Sequence, residues 1–151
     1  MTNSSTVMIE ESILKKKAQR YLLCFLDRCP LHEHCLHWQA GHYAPASKRV
    51  INSINPTHRD NCTEHCIYYR DDTVKRVARG MVGFFREMPH YKELAIKGDI
   101  IDYFSRTRFY RMRKGTLPIT PADQEAIAAI CQHHGWTAEP QYDAYEEEYV
   151  W

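Results

Sequence analysis

The chain has 151 residues, of which 44% are hydrophobic and 26% are charged, and its formal net charge is +1. This composition excludes a disordered chain, and the length suits one domain or a small module fused to a larger one. No apolar run approaches the roughly 20 residues that a membrane span needs. The first residues lack the basic start and apolar core of a signal peptide, so we expect a cytoplasmic protein with reduced cysteines.

The charge is distributed unevenly along the chain. Residues 1–69 carry 8 Lys and Arg against 6 Asp and Glu, residues 70–114 carry 12 against 6, and residues 115–151 carry none against 7. A basic middle before an acidic end indicates either a nucleic-acid-binding region or two regions that pair in the fold.

The first predicted elements are a loose polar start over residues 1–8 and a helix from residue 9 to about residue 25. The helix is indicated by apolar residues that recur at helical spacing, among them Leu14 and Ala18. Residues 21–26 are short and apolar enough to form a buried strand instead.

A cysteine- and histidine-rich stretch follows, and five of the six cysteines lie between residues 24 and 66. Reduced cysteines at this density favour thiolate–metal bonds, and a structural zinc ion takes four Cys or His ligands. The spacing leaves two sets open, which are Cys29, Cys35, Cys62 and Cys66, or Cys24, Cys29 and Cys35 with one of the later pair. His32, His34 and His65 lie between these cysteines and could replace a ligand. The alternatives are an iron–sulfur cluster, as a less favoured cofactor, and buried free thiols.

The next prediction is a helix over residues 72–88. Its apolar residues, from Val74 to Met88, follow the i, i+3, i+4, i+7 pattern, and Pro89 ends it. A second helix over residues 91–104 uses Leu94, Ile101 and Phe104 as its buried positions.

Two capped helices complete the predicted bundle. Residues 106–114 form a short helix with Ser105 as the N-cap and Gly115 after its end, and Phe109 and Met112 face inward. The last helix begins at a Thr120–Asp123 capping box with Pro121 at N1 and ends at Gly135. Its buried residues are predicted to be Ile127, Ile130 and Cys131.

The short helix is strongly basic on its outer side. Arg106, Tyr110 and Arg113 fall at i, i+4 and i+7 and share one stripe, which Arg111 and Lys114 flank. Arginine suits bidentate contact with guanine or phosphate, so this stripe is a candidate nucleic-acid-binding surface. The order of helices from residue 91 to residue 135 resembles part of a phage-repressor-type helix-turn-helix. The alternatives are a solvated helix that pairs with the glutamates at 146–148, and a surface for a protein partner.

The fold class that we predict is mainly α, with three parts. A Cys/His-rich metal-binding module covers residues 1–69 and packs on a helical, helix-turn-helix-like region over residues 70–135. An acidic and aromatic C-terminal segment over residues 136–151 docks on the core.

No catalytic motif is present. The sequence has no Gly-rich phosphate loop, no His-Glu-x-x-His and no Gly-x-Ser-x-Gly, so we predict no enzymatic activity and no small-molecule substrate. The expected function is that of a small zinc-stabilised protein that binds nucleic acid or regulates through residues 105–114. The alternative is a protein-interaction adaptor that uses the acidic and aromatic C-terminal segment.

Nearly the whole chain resembles an uncharacterised bacterial family, a domain of unknown function. The motifs that carry the resemblance are Cys24-Phe with Cys29-Pro and Cys35-Leu, Asn55-Pro56, Cys66 followed by Tyr68, Ala78-Arg-Gly, Met88-Pro89, Phe104-Ser-Arg, Phe109-Tyr-Arg, residues 121–124, and the ending Tyr142-Asp-x-Tyr with Tyr149-x-Trp151. The resemblance implies that Cys24, Cys29, Cys35 and Cys66 are the four family positions. Cys62 then remains as an alternative ligand.

Overall fold

A computed structural model describes residues 9–151, so the polar start predicted for residues 1–8 lies outside the described residues. The chain divides into two compact units. We call residues 9–73 with Trp151 the N-terminal unit, and residues 74–150 the C-terminal unit.

The N-terminal unit begins with helix α1, Glu11–Ala18, which buries Leu14 and Ala18 on one face. The predicted continuation of this helix to residue 25 is wrong. Leu23 instead forms a parallel bridge with Ser53, and the Leu23 carbonyl accepts a hydrogen bond from the Ile54 N–H at 2.8 Å. The chain leaves the helix because the buried residues after Ala18 pack against this later segment.

Only short elements follow in this unit. A single 3₁₀ turn, His32–His34, precedes helix α2, Leu36–Gly41, and the described chain then runs without helix or strand to residue 73. Two small hydrophobic clusters order this unit. Their buried residues are Leu14, Ala18, Leu23 and Ala40 in one, and Cys24, Leu26, Cys29 and Ile54 in the other.

The helix predicted over residues 72–88 is wrong. Val74–Arg79 is strand β1, which pairs antiparallel with strand β2, Ala144–Tyr149. Gly80 ends β1 at φ +81°, and a Cβ there would clash with a carboxylate oxygen of Asp143. A backbone with positive φ at so crowded a position requires glycine, and it breaks any helical run.

The pairing of β1 with β2 brings opposite charges together. Arg76 lies opposite Glu147 in the register. The Arg79 guanidinium contacts Glu146 at 3.2 Å and Glu148 at 2.6 Å. The acidic C-terminal residues therefore neutralise a basic strand.

Three helices follow β1, of which the first is α3, His90–Phe104. The predicted helix is confirmed, but its buried face is Ile96, Ile100 and Phe104, and Leu94 is 59% exposed. Helix α3 is rich enough in apolar residues that its sequence is compatible with more than one buried face.

Helices α4, Arg106–Arg113, and α5, Pro121–His133, confirm the predicted caps. The Ser105 hydroxyl accepts a hydrogen bond from the Arg108 N–H, and Thr120 and Asp123 form both bonds of the capping box. The core of this unit combines β1, the turns after it and the three helices. Its buried residues are Ala78, Met81, Phe84, Phe85, Met88, Ile96, Ile100, Phe104, Phe109, Met112, Ile119, Ile127 and Cys131.

The described residues are therefore rich in helix, but they include a two-stranded sheet that the mainly α prediction omitted. The helix-turn-helix resemblance is not confirmed. Ser105 alone separates α3 from α4, and residues 114–120 separate α4 from α5, whereas a helix-turn-helix has a turn of 3–4 residues. None of the helices within residues 9–151 combines the length and the apolar character of a membrane span.

Candidate metal centre and basic helix

The five cysteines of the N-terminal unit line one small cavity. Its volume is about 20 Å³, which is room for about one water-sized particle or ion. The other residues that line it are Leu26, His32, Trp38, Ile54, Tyr68 and Tyr69. The cavity thus has a thiol-rich lining and an aromatic and aliphatic wall.

Short turns bring the cysteines to this cavity. The Cys29 N–H donates to the Leu26 carbonyl, and the Cys66 N–H donates to the Thr63 carbonyl. Cys35 is the N-cap residue of α2 and forms an antiparallel bridge with Asp71. The turns at Cys29 and Cys66 and the start of α2 at Cys35 replace the regular secondary structure that is sparse in this unit.

Burial raises the pKa of the Cys24 thiol, and the neighbouring thiols of Cys35, Cys29 and Cys66 raise it further. Burial also raises the pKa of Cys29, and Cys62 and Cys66 raise it further. All of these cysteines line the same cavity. A divalent cation among them would favour the thiolate forms instead.

The choice of ligands is not decided by these positions. Within residues 9–151, no three or more His, Cys, Asp or Glu side chains already form a group that could hold a metal ion. Cys62 raises the pKa of Cys29, and its backbone has φ +70°. A left-handed backbone at a residue other than glycine costs about 1–3 kcal/mol, so the surrounding structure holds Cys62 in place.

The histidines of this stretch have separate environments. His32 lines the cavity, and its Nδ1 lies 2.6 Å from the Cys29 carbonyl oxygen. His34 faces Asp72 at 3.3 Å, and His65 is exposed. Of the three proposed substitutes, only His32 lies at the cavity.

A buried histidine, His37, was not among the residues predicted from the sequence. Its ring stacks on Tyr21 with ring centroids 4.3 Å apart, and its Nδ1 lies 2.6 Å from the Leu22 carbonyl oxygen. Burial lowers the pKa of His37, which keeps the ring neutral. The sequence does not predict these contacts of His37, because no residue near it in the chain indicates that Tyr21 or Leu22 is its partner.

The basic side chains of α4 lie largely in solvent. Arg106, Arg111 and Lys114 are exposed and Arg113 is half-buried, and none of the four has an ion pair within the described residues. Tyr110 is half-buried, and the Arg106 guanidinium lies 5.7 Å from the centre of its ring.

Arg108 is the one cation of α4 with a carboxylate partner among residues 9–151. Its guanidinium contacts both oxygens of Asp123 at 2.9 Å. The glutamates at 146–148 lie along β2, where Glu146 and Glu148 pair with Arg79 of β1. Within the described part of the chain, the acidic segment therefore leaves the predicted stripe on α4 without a carboxylate partner.

Comparison with known proteins identifies a family. Residues 8–151 match the group described as a family of unknown function, DUF6078. The chain belongs to this family. No curated protein and no solved structure matches it. Membership in DUF6078 agrees with the resemblance to an uncharacterised family and assigns no activity.

Proposed function

We propose that this DUF6078 protein binds nucleic acid through α4 and that a metal ion held by cysteines stabilises its N-terminal unit. The observation that carries the first part is the set of cations on α4 that have no acidic partner among the described residues. The proposal adds no catalytic step.

The charges of the C-terminal unit balance overall. This unit has eleven Lys and Arg and eleven Asp and Glu. Because Glu146 and Glu148 pair with Arg79, and Asp123 pairs with Arg108, positive charge remains concentrated on the outer side of α4. A local excess of cations on one surface attracts the phosphate backbone even when the net charge is small.

The side chains on α4 also suit this ligand. Arg106, Arg111 and Arg113 each carry a planar guanidinium that can donate two hydrogen bonds to one phosphate or to a guanine edge. Tyr110 lies beside Arg106 and supplies an aromatic ring. An arginine-rich helix with one aromatic residue on its outer side is a surface that favours RNA or DNA over an uncharged partner.

Fluorescence anisotropy with a labelled mixed-sequence DNA duplex and with single-stranded RNA tests the proposal. Affinity should fall steeply as salt rises, because each duplex phosphate that is neutralised contributes about 0.9 to the slope of log K against log salt. The triple variant Arg106→Ala/Arg111→Ala/Lys114→Ala should reduce that slope by roughly 2–3 for duplex DNA.

A matched variant removes three exposed cations outside α4, namely Lys16→Ala/Arg49→Ala/Arg86→Ala. It loses the same net charge and should bind nearly as the parent protein does. Equal losses in the two triple variants, or no binding of either nucleic acid at low salt, would contradict the proposal.

The metal part of the proposal rests on the five cysteines around one cavity of about 20 Å³. Zinc is the proposed ion, because it favours four thiolate or imidazole ligands in structural sites, and an iron–sulfur cluster is the second choice. The proposed ligands are Cys24, Cys29, Cys35 and Cys66, the four family positions that the resemblance implies, and all four line the cavity. Cys62 is the alternative ligand.

Elemental analysis of the purified protein should find about one zinc ion per chain. Cys66→Ser should lose the metal, whereas Cys131→Ala, in the core of the C-terminal unit, should retain it. Cys62→Gly decides the alternative, because glycine relieves the left-handed backbone at that position. Retained zinc in Cys62→Gly excludes Cys62 as a ligand, and full zinc in Cys66→Ser would refute the proposed set.

A protein-interaction adaptor is the second candidate function. Strand β2 pairs with β1 on one edge, and its other edge has no partner strand among residues 9–151. An exposed strand edge can pair with a strand of another protein, although Glu146 and Glu147 beside it disfavour unselective pairing. The two functions differ in salt response, since only phosphate binding gives the steep counterion slope.

A further inference from the structure

A groove of about 350 Å³ lies between α5 and the chain that leads into β2. Gln124 and Glu125 line it from α5, and Glu139, Tyr142 and Tyr145 line it from the other side. None of the α4 residues proposed to bind nucleic acid lines this groove. Its volume is at the small end of the range for ligand sites.

The charged residues that line the groove are both acidic. Glu125 and Glu139 are exposed, and neither has an ion pair within the described residues. The Gln124 side-chain amide donates to the Arg76 and Ile119 carbonyls, which leaves its carbonyl oxygen as an acceptor. The polar groups of the groove are therefore mostly acceptors, and they suit a ligand that carries positive charge and N–H donors.

Aromatic rings form another part of the lining. The rings of Tyr142 and Tyr145 lie at 88° to each other with centroids 6.0 Å apart. The Arg76 guanidinium lies 4.1 Å from the centre of the Tyr145 ring, so this ring already holds one guanidinium group in the fold. Tyrosine rings attract cations through their electron-rich faces.

Tyr142 also has an unusual hydroxyl group. Among residues 9–151, its oxygen is the buried side-chain polar atom without a hydrogen-bond partner. A ligand in the groove cannot reach an atom that is buried so deeply, so Tyr142 contributes its ring and not its hydroxyl to the lining.

We propose that this groove binds an organic cation of the guanidinium or alkylammonium class. Glu125 and Glu139 pair with its charge, and the rings of Tyr142 and Tyr145 pack against its head and aliphatic stem. A free amine and the Arg or Lys side chain of a peptide present the same chemistry. The site goes beyond the proposed function, since it is distinct from α4 and from the cysteine cavity.

Amide NMR titrations of the full chain with ethylguanidinium, butylammonium and a capped Gly-Arg-Gly peptide test the proposal, with ethylurea as the neutral isostere. The cations should shift the signals of residues 124–128 and 139–145, and ethylurea should not. Tighter binding of the peptide than of ethylguanidinium identifies a peptide side chain as the source, and the reverse identifies a free amine. Equal responses to ethylurea and ethylguanidinium would overturn the proposal.

Glu125→Gln/Glu139→Gln should weaken binding of the cations at least roughly tenfold, as loss of a charge pair does. Both side chains are exposed, so the variant should unfold at the same temperature as the parent protein. Unchanged affinity in this variant would refute the site. The α4 triple variant should bind the cations normally, which separates this test from that of nucleic-acid binding.

Discussion

The two units differ in how much apolar surface orders them. The C-terminal unit buries one cluster of 13 residues that combines a strand, three helices and the turns between them. The N-terminal unit buries two clusters of four residues each, and one of them includes Cys24 and Cys29. Its described helices, α1 and α2, have 8 and 6 residues.

This contrast indicates which unit needs its cysteines for stability. A small chain segment with little core and little regular structure needs a further source of stability, such as a metal ion or cross-links. The five cysteines around the cavity lie in the unit with the smaller cores, and Cys131 lies in the larger core of the other unit. The proposed metal would therefore stabilise the N-terminal unit selectively.

Removal of the metal should have the largest effect. Structural zinc contributes about 10–16 kcal/mol to the folding of zinc-finger peptides at pH 7, so a chelator should unfold most of residues 20–70. Hydrogen exchange read by mass spectrometry should rise across those residues and stay slow in α3 and α5. As the control, protection should return when zinc is added back. Exchange that is unchanged by the chelator would contradict the proposal that a metal ion stabilises the N-terminal unit.

Phe109→Ala should have the next largest effect. Phe109 is fully buried in the core of the C-terminal unit, and truncation of such a residue costs about 3–5 kcal/mol. Urea unfolding followed by circular dichroism measures the loss. Tyr103→Ala, at a 66% exposed position of α3, is the matched control and should cost much less. If the loss of unfolding free energy in Phe109→Ala changes when a chelator is added, this core is not independent of the metal.

Asp143→Ala should cost about 1–3 kcal/mol, because it leaves two backbone donors without their acceptor. The Asp143 carboxylate accepts hydrogen bonds from the N–H groups of Val82 at 2.8 Å and Gly83 at 2.9 Å. Thermal unfolding of this variant beside Asp102→Ala, an exposed carboxylate on α3, measures the difference. Equal melting temperatures would mean that the turn after β1 does not need this carboxylate.

Thr120→Ala should cost about 0.5–2 kcal/mol, since it removes the hydroxyl that caps α5. The Thr120 hydroxyl accepts from the Asp123 N–H at 3.2 Å. Thr137→Ala, at an exposed position after α5, is the control in the same urea titration. A loss as large in Thr137→Ala would show that the cap is not the cause.

The smallest effect is expected at alkaline pH. Burial raises the pKa of Cys131 to about 11 from 9.0, so the native thiol stays neutral where the unfolded thiol ionises. The contribution of this group to stability is constant below about pH 9 and falls as the pH rises to about 11. Urea titrations give the free energy of unfolding at each pH. Between pH 8 and pH 10 this free energy should fall less steeply for Cys131→Ala than for the parent protein, and an equal fall in both proteins would contradict the prediction.

Local sequence patterns predicted the helices of the C-terminal unit well. Ser105, Gly115 and the Thr120–Asp123 box are short-range signals, because each cap bonds within its own turn of helix. The inward positions of Phe109 and Met112 followed from one short amphipathic helix. The buried face of α3 did not, because Leu94, Ile96 and Ile100 are all apolar and only the packing selects among them.

The candidate metal centre was predictable in part. The density of cysteines indicated one site, and the structure brings all five to one cavity. The ligand set does not follow from spacing, since the positions of Cys62 and Cys66 depend on turns rather than on a periodic element. Trp38, Tyr68 and Tyr69 in the wall carried no signal that set them apart from ordinary aromatic residues.

Local sequence was sufficient for the capped helices α4 and α5 and for the concentration of thiols before residue 67, since these depend on neighbouring residues. The strand at Val74–Arg79, in contrast, follows only from its tertiary partner. Its valines and basic residues are compatible with a helix until Ala144–Tyr149 pairs with it and supplies both the backbone hydrogen bonds and the carboxylates. A strand depends on a partner that lies far along the chain, whereas a helix completes its hydrogen bonds within itself.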